Sequence, residues 1–178
     1  KKKILKKLKI IDENKKLLFA KIDTTFKKKG KLNYGEIYIP GISKKEIFLS
    51  TYVCHPSMAN NELSGPLVSI ALAKYFKRKK NYYSIRFIFI PETIGSISYI
   101  EKNLKRLKKN VIGGYNLTCL GDDFNYSFLP SKYKDTLSDK AARQAFKKLK
   151  IKYKEYSFLE RGSDERQYNS PGIDLPIA

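Results

Sequence analysis

The chain's one histidine, His55, stands at the end of the apolar run 46–54 (EIFLSTYVC) and directly before Pro56. Imidazole at such an exit from a sheet can ligate zinc or take up a proton, although a single histidine can equally be structural. Asn60, Asn61 and Glu62 follow closely. They either cap a helix opening at Ser64 or supply oxygen ligands beside His55. Glu92 follows a second apolar run and Pro91. A carboxylate there suits a general base working on a metal-bound water, or else a solvated turn. Asp122 and Asp123 follow a third run, as hard-metal ligands or as turn formers. Asp164, Glu165 and Arg166 share a polar loop with Gly162. They could meet a metal or a substrate's amine or carboxylate, or pair with one another.

These residues need elements that bring them together. Runs 17–26 and 32–39 read as strands joined at Lys29-Gly30-Lys31, with Pro40-Gly41 ending the second. Runs 46–54 and 83–90 (YSIRFIFI) are almost continuously β-branched and aromatic, as in strands covered on both faces. Run 111–120 reads as a third core strand, 152–159 as a fourth, and 126–129 as a short strand. Ser64-Gly65-Pro66 starts a helix, with Leu67, Ile70, Ala71 and Tyr75 at inward spacing. Gly95-Ser96 opens a second helix, with Ile97, Ile100, Leu104 and Leu107 on one face. A third covers 135–149, with Leu137, Ala141, Ala145 and Leu149 in phase. The polar loop 161–168 and a terminal apolar run 173–177 follow. Alternating strands and helices predict an α/β sheet layered between helices. Sites in open α/β sheets form at the carboxyl ends of strands. His55, Glu92, Asp122 and Asp164 each fall after one of the four runs.

A length of 178 residues with 42% hydrophobic content suits a single domain with a sizeable core. The net charge of +20 comes mostly from lysines spread along the chain, including 1–3, 27–29, 108–109 and 147–148. Such charge speaks to solubility and non-specific binding. Only six residues are arginine and no nucleic-acid motif is present, which argues against a nucleic-acid partner. Cys54 and Cys119 sit in runs read as core strands, so reduced, buried thiols and a cytoplasmic protein are expected. No run approaches the roughly 18 apolar residues of a membrane span. The basic N-terminus lacks the apolar stretch of a signal peptide. The chain opens on Lys1 and its only methionine is Met58, so 1–178 reads as one domain cut from a longer protein at both ends.

The segments CHPSMANNELSG (54–65), PETIGSISYI (91–100), LTCLGDD (117–123) and RGSDERQYNSPGIDLP (161–176) together resemble, in order and spacing, a group of bacterial aminopeptidase-like proteins. Genes of that group often lie beside polysaccharide-biosynthesis genes, and the group looks like a distant branch of the co-catalytic zinc aminopeptidases. The resemblance implies a three-layer α/β/α sandwich with a mixed, mostly parallel central sheet. It implies zinc as cofactor and a small peptide or amide as substrate, cleaved with a metal-activated water. His55 matches the first zinc ligand, and Asn61 occupies the position of the bridging aspartate, with Glu62 beside it. Glu92 matches the general base, and Thr93 stands where a second glutamate ligand is expected. Thr118 or Asp122 matches a later acidic ligand. The Asp164, Glu165 and Arg166 loop resembles the substrate-side loop, and a distal histidine ligand would lie beyond Ala178. The carboxylate expected two residues after the first ligand, where it orients that histidine, is Ser57 here. A neutral Asn61 bridges two cations poorly, which implies one zinc rather than two, or a domain that binds without catalysing.

Overall fold

The long strand β4 (Ser43–Tyr52) is buried along most of its second half, as its apolar run predicts. Phe48 points into one core cluster and Leu49 into another, so the two faces of the strand meet different layers. Its parallel neighbour β5 (Tyr83–Ile90) alternates in the same way: Ile85 and Phe87 pack on one side, Ile88 and Ile90 on the other. β3 (Gly35–Ile39) pairs antiparallel with β5, and β6 (Val111–Asn116) pairs parallel with β4. The resulting four-stranded sheet is mixed, in the order β3-β5-β4-β6. Ile177 bridges to Gly114 in parallel at its edge.

The computed structural model describes residues 6–11 and 17–178; the lysines at 1–3 lie outside them. The chain divides into two units. Within Lys1–Lys31, β1 (Lys6–Ile11) pairs antiparallel with β2 (Leu17–Ile22). The strand predicted over 17–26 ends at Ile22. Within Leu32–Ala178, α2 (Ser64–Lys77) covers one face of the sheet, where Ala73, Leu72 and Phe76 join Leu49 and Phe87. The other face is covered by α3 (Ile94–Asn110) and by Tyr168 of the short α5 (Glu165–Tyr168). A mixed sheet between helices is the expected α/β architecture.

The helices are where expected, but they are turned. Of the α2 residues predicted to face inward, Leu67 is 63% exposed and Ile70 and Tyr75 also face outward. The helix is apolar on both sides, so spacing alone offers two solutions. Close packing of its first turn selects the face with small residues, Gly65, Ser69 and Ala73. In α3, Ile100 and Leu107 are buried and Leu104 is half-buried, whereas Ile97 is exposed. In α4 (Leu137–Leu149) Leu137 and Leu149 are exposed, with Ala141 and Ala145, while Ser138 and Asp139 are buried. Here hydrogen bonding outweighs hydrophobicity. Asp139 accepts from the Ser131 and Thr136 amides, and Ser138 receives the Gly114 amide and donates to Pro176.

The strands predicted over 111–120 and 152–159 are also cut short, and the one predicted over 32–39 begins only at Gly35. β6 stops at Asn116, and the segment through Cys119 to Asp123 is loop. The run 152–159 forms only β8 (Tyr153–Glu155), followed by the 3-10 turn Phe158–Glu160. β8 pairs with β7 (Tyr126–Phe128) in a separate sheet rather than extending the central one. Both cysteines therefore lie past strand ends, free and exposed, not in the core as expected.

An ion cluster crosses the sheet, buried at Glu46 and Arg86 and open to solvent at Glu36. Arg86 on β5 donates to Glu46 on β4 at 2.7 Å and to Glu36 on β3, and Arg106 of α3 reaches Glu46 at 3.1 Å. Each charge is paired, which is what permits Glu46 to be almost fully buried.

Candidate active site

β4 and β5 run parallel, so their carboxyl ends lie side by side and carry His55 and Glu92 to the same place. His55 Nε2 stands 3.5 Å from Glu92 Oε2. On the opposite side of the ring, Nδ1 lies 2.6 Å from Glu62 Oε1. The other Glu62 oxygen accepts from the Cys54 amide. This places Glu62 behind the imidazole, fixing the ring and leaving Nε2 directed at Glu92. The short helix α1 (Ala59–Glu62) brings the carboxylate back over the strand end.

The charges act in concert. The Glu62 hydrogen bond, followed by the Glu62 and Glu92 charges, raises the His55 pKa despite the opposing cost of desolvation. Burial acts to raise the Glu62 pKa, but the amide of Cys54 and the imidazole outweigh it and hold the carboxyl below its usual range. Burial and the nearby Glu62 and Glu92 charges push the Cys54 thiol up, although the Glu92 amide donates to its sulfur. Cys54 is therefore poorly suited to act as a nucleophilic thiolate. Among the described residues, Cys54, His55 and Glu62 bring ligand-type atoms within 4.8 Å of one another.

Asn61 projects from α1 toward Tyr52 and Cys119, donating to the Tyr52 hydroxyl at 3.2 Å. Its Oδ1 is buried and has no hydrogen-bond partner. Asn60 ties α1 to the loop after β6, accepting from the Gly121 amide and donating to Asp122 Oδ2. Asp122 also accepts from the Phe124 amide, closing a turn. Asn61, Glu92, Asp122 and Glu165 line one cleft of about 770 Å³, together with Tyr52 and Cys119.

The loop 161–168 is largely folded into the structure. Asp164 is fully buried and its Oδ1 accepts from the Thr93 amide at 2.7 Å and from Ser96 Oγ at 2.9 Å. Glu165 accepts from the Gly162 and Ser163 amides and from Asn116 while bordering the cleft. Arg166 is solvent-exposed and does not line this cleft. Sequence reasoning missed Tyr52, Asn116 and Ser163, which are neutral residues brought to the cleft by strand ends and a loop. It also missed Glu62's place behind His55, because only the turn of α1 reverses the side chain's direction.

The fold defined by this sheet and its helices is that of the aminopeptidase-like α/β proteins. The chain belongs to the family described as Domain of unknown function (DUF4910), whose model matches residues 6–178. A Clostridium acetobutylicum protein named as a polysaccharide biosynthesis protein with aminopeptidase-like domain is 43% identical over 148 residues, covering 83% of this chain and 34% of its own length. The crystal structure of a C. acetobutylicum protein named as a peptidase shares 38% identity with a TM-score of 0.78, covering 91% of this chain and 36% of that one. The zinc aminopeptidase BSAP from Bacillus subtilis shares the fold at 20% identity, TM-score 0.62, over 81% of this chain and 38% of that one. The chain thus spans about a third of the length of these relatives. Among the described residues no helix is long and apolar enough to cross a membrane.

Proposed function

We propose that this chain carries part of the active site of a zinc-dependent, aminopeptidase-like hydrolase that cleaves a small peptide or amide. The observation that carries the reading is His55 itself, with Nδ1 fixed by Glu62 and Nε2 facing the Glu92 carboxylate at 3.5 Å. The buried Oδ1 of Asn61 accepts no hydrogen bond in the protein, which leaves its lone pairs for a cation. His55 Nε2, Asn61 Oδ1 and the cleft-lining Asp122 would hold the ion, with Glu62 orienting the histidine from behind. Zinc held there would supply Lewis acidity and an acidified water. Glu92 would accept the proton of the attacking water and return it to the leaving amine. Glu165 is proposed for the substrate side, with Asp164 supporting it from beneath and Arg166 outside the cleft. One cation suits these donors better than two, because Asn61 offers only a neutral oxygen and Thr93 offers no carboxylate.

The name of the C. acetobutylicum relative suggests polysaccharide biosynthesis as the setting. The same neutral Asn61 and Thr93 favour a second reading, a domain that binds its ligand without hydrolysing it. Metal content and turnover on an aminoacyl-amide panel separate the two. Wild type should hold near-stoichiometric zinc, and His55→Ala should lose it. Glu92→Gln should keep the zinc and lose about 100- to 10,000-fold in kcat. Zinc without any turnover in the wild type would select the binding domain. Absence of zinc after reconstitution would overturn the hydrolase and leave the binding domain.

A further inference from the structure

Thr93 adopts φ 61° and ψ −69°, a backbone region that a β-branched residue rarely enters. The Ile94 amide donates to the Glu92 carbonyl at 2.7 Å, closing a three-residue γ-turn of the strained, positive-φ kind around Thr93. Such a conformation persists only where its surroundings over-determine it. The residue entering this turn is Glu92.

Several contacts hold the turn, among them Ser96 Oγ, which donates to the Thr93 carbonyl at 3.0 Å. The Glu92 amide donates to Cys54 Sγ at 3.2 Å. Gly95 packs so closely on the strand end that a Cβ there would come within 2.9 Å of Pro91 Cδ. The Thr93 amide donates to Asp164 Oδ1, which also receives Ser96 Oγ. Asp164 is itself rigidly mounted. Its carbonyl accepts from the Gln167 and Tyr168 amides. Tyr168 is fully buried, edge-on to Phe48 and hydrogen-bonded to Ser50 at 2.7 Å. A carboxylate this deep is costly to keep, its second oxygen has no partner, and desolvation pushes its pKa up to about 6. A neutral residue would fill the space at lower cost, so the acceptor must contribute something that packing does not.

We infer that Asp164 is a positioning residue: it locks the strained turn at Thr93 and thereby aims the Glu92 carboxylate at His55. This rests on the proposed role of Glu92, and the test separates the two ideas. His55 is the only histidine of residues 1–178, so its imidazole NMR signals in the full-length, metal-free protein are those lost in His55→Ala. Asp164→Ala should move those signals toward the ones seen in Glu92→Gln. On leucine p-nitroanilide with zinc-loaded protein it should lower kcat by about 100-fold while leaving KM nearly unchanged. Adding Thr93→Gly to Asp164→Ala should restore both, because glycine enters positive φ without strain. Wild-type His55 signals in Asp164→Ala, or a defect that Thr93→Gly does not relieve, would overturn the inference and leave Asp164 as ordinary fold support. If Asp164→Ala does not fold, Asp164→Asn decides. It keeps the acceptor oxygen and should retain wild-type His55 signals, whereas Glu92→Gln-like signals would overturn the inference. If the wild type hydrolyses nothing, the hydrolase reading fails and the imidazole signals still report on the turn.

Discussion

At the scale of single residues, the site depends on what stands behind its reactive groups. His55 is positioned by Glu62, seven residues on, whose carboxylate spans the imidazole and the Cys54 amide. In this way Glu62 supplies the orienting carboxylate whose expected position is occupied by Ser57. Asp164 shows the opposite balance between stability and position. Folding raises its pKa from 3.8 to about 6, with desolvation as the main cause. The native state therefore holds this proton more tightly than the unfolded chain does. Its contribution to stability is fully present below about pH 4 and is lost as the pH rises through 6, a change of about 3 kcal/mol. Asp164→Asn does not titrate, so its stability relative to wild type should grow by about that amount between pH 4 and pH 7. Urea midpoints of both proteins across that range measure it, and a pH-independent difference would refute the assignment.

At the scale of elements, the site is assembled by one close approach. A Cβ on Gly65 would lie 2.2 Å from the Leu117 carbonyl and 2.3 Å from Thr51 Oγ1, so α2 begins almost against the ends of β4 and β6. Ser64, one residue earlier, receives the Leu120 amide at 2.9 Å and donates to the Asn60 carbonyl. These contacts bind α1, α2 and the loop after β6 into one support for Asn61. Gly65→Ala should push α2 outward, costing about 1–3 kcal/mol of stability. It should also weaken zinc binding, because Asn61 and Asp122 shift together. Chemical denaturation and a zinc titration test the two effects, and loss of stability with unchanged affinity would show that Asn61 is not placed by this packing. The elements also explain where sequence patterns misled. The runs through Cys119 and Leu159 are apolar enough for strands, but β6 leaves β4 opposite Ser50, two residues before β4 ends, and β7 and β8 pair with each other. The Leu117 amide still reaches the Ser50 carbonyl, but its own carbonyl accepts from the Thr51 side chain instead of a strand amide, and the ladder ends there.

At the scale of the whole molecule, charge and layering dominate. A formal charge of +20 loads the folded state with self-repulsion. Raising NaCl from about 20 to 300 mM should therefore raise Tm, since the Debye length falls below about 10 Å. A Tm that stays flat or falls would mean that local pairing already offsets the repulsion. The sequence by itself determined the layers. Continuous β-branched runs at 46–54 and 83–90 require cover on both faces, and the helices between them can supply it. It also placed His55 and Glu92 at the carboxyl ends of strands, because each follows its run, while the pairing of those two strands came from the structure. Only the tertiary structure decided which face each helix turns inward, that Glu62 sits behind His55, and that Asp164 is buried beneath Thr93. The reason is physical. Strand periodicity is written in consecutive residues, whereas a helix apolar on both sides, a reversed side chain and a hydrogen bond between residues 93 and 164 are settled by packing between segments distant in the chain.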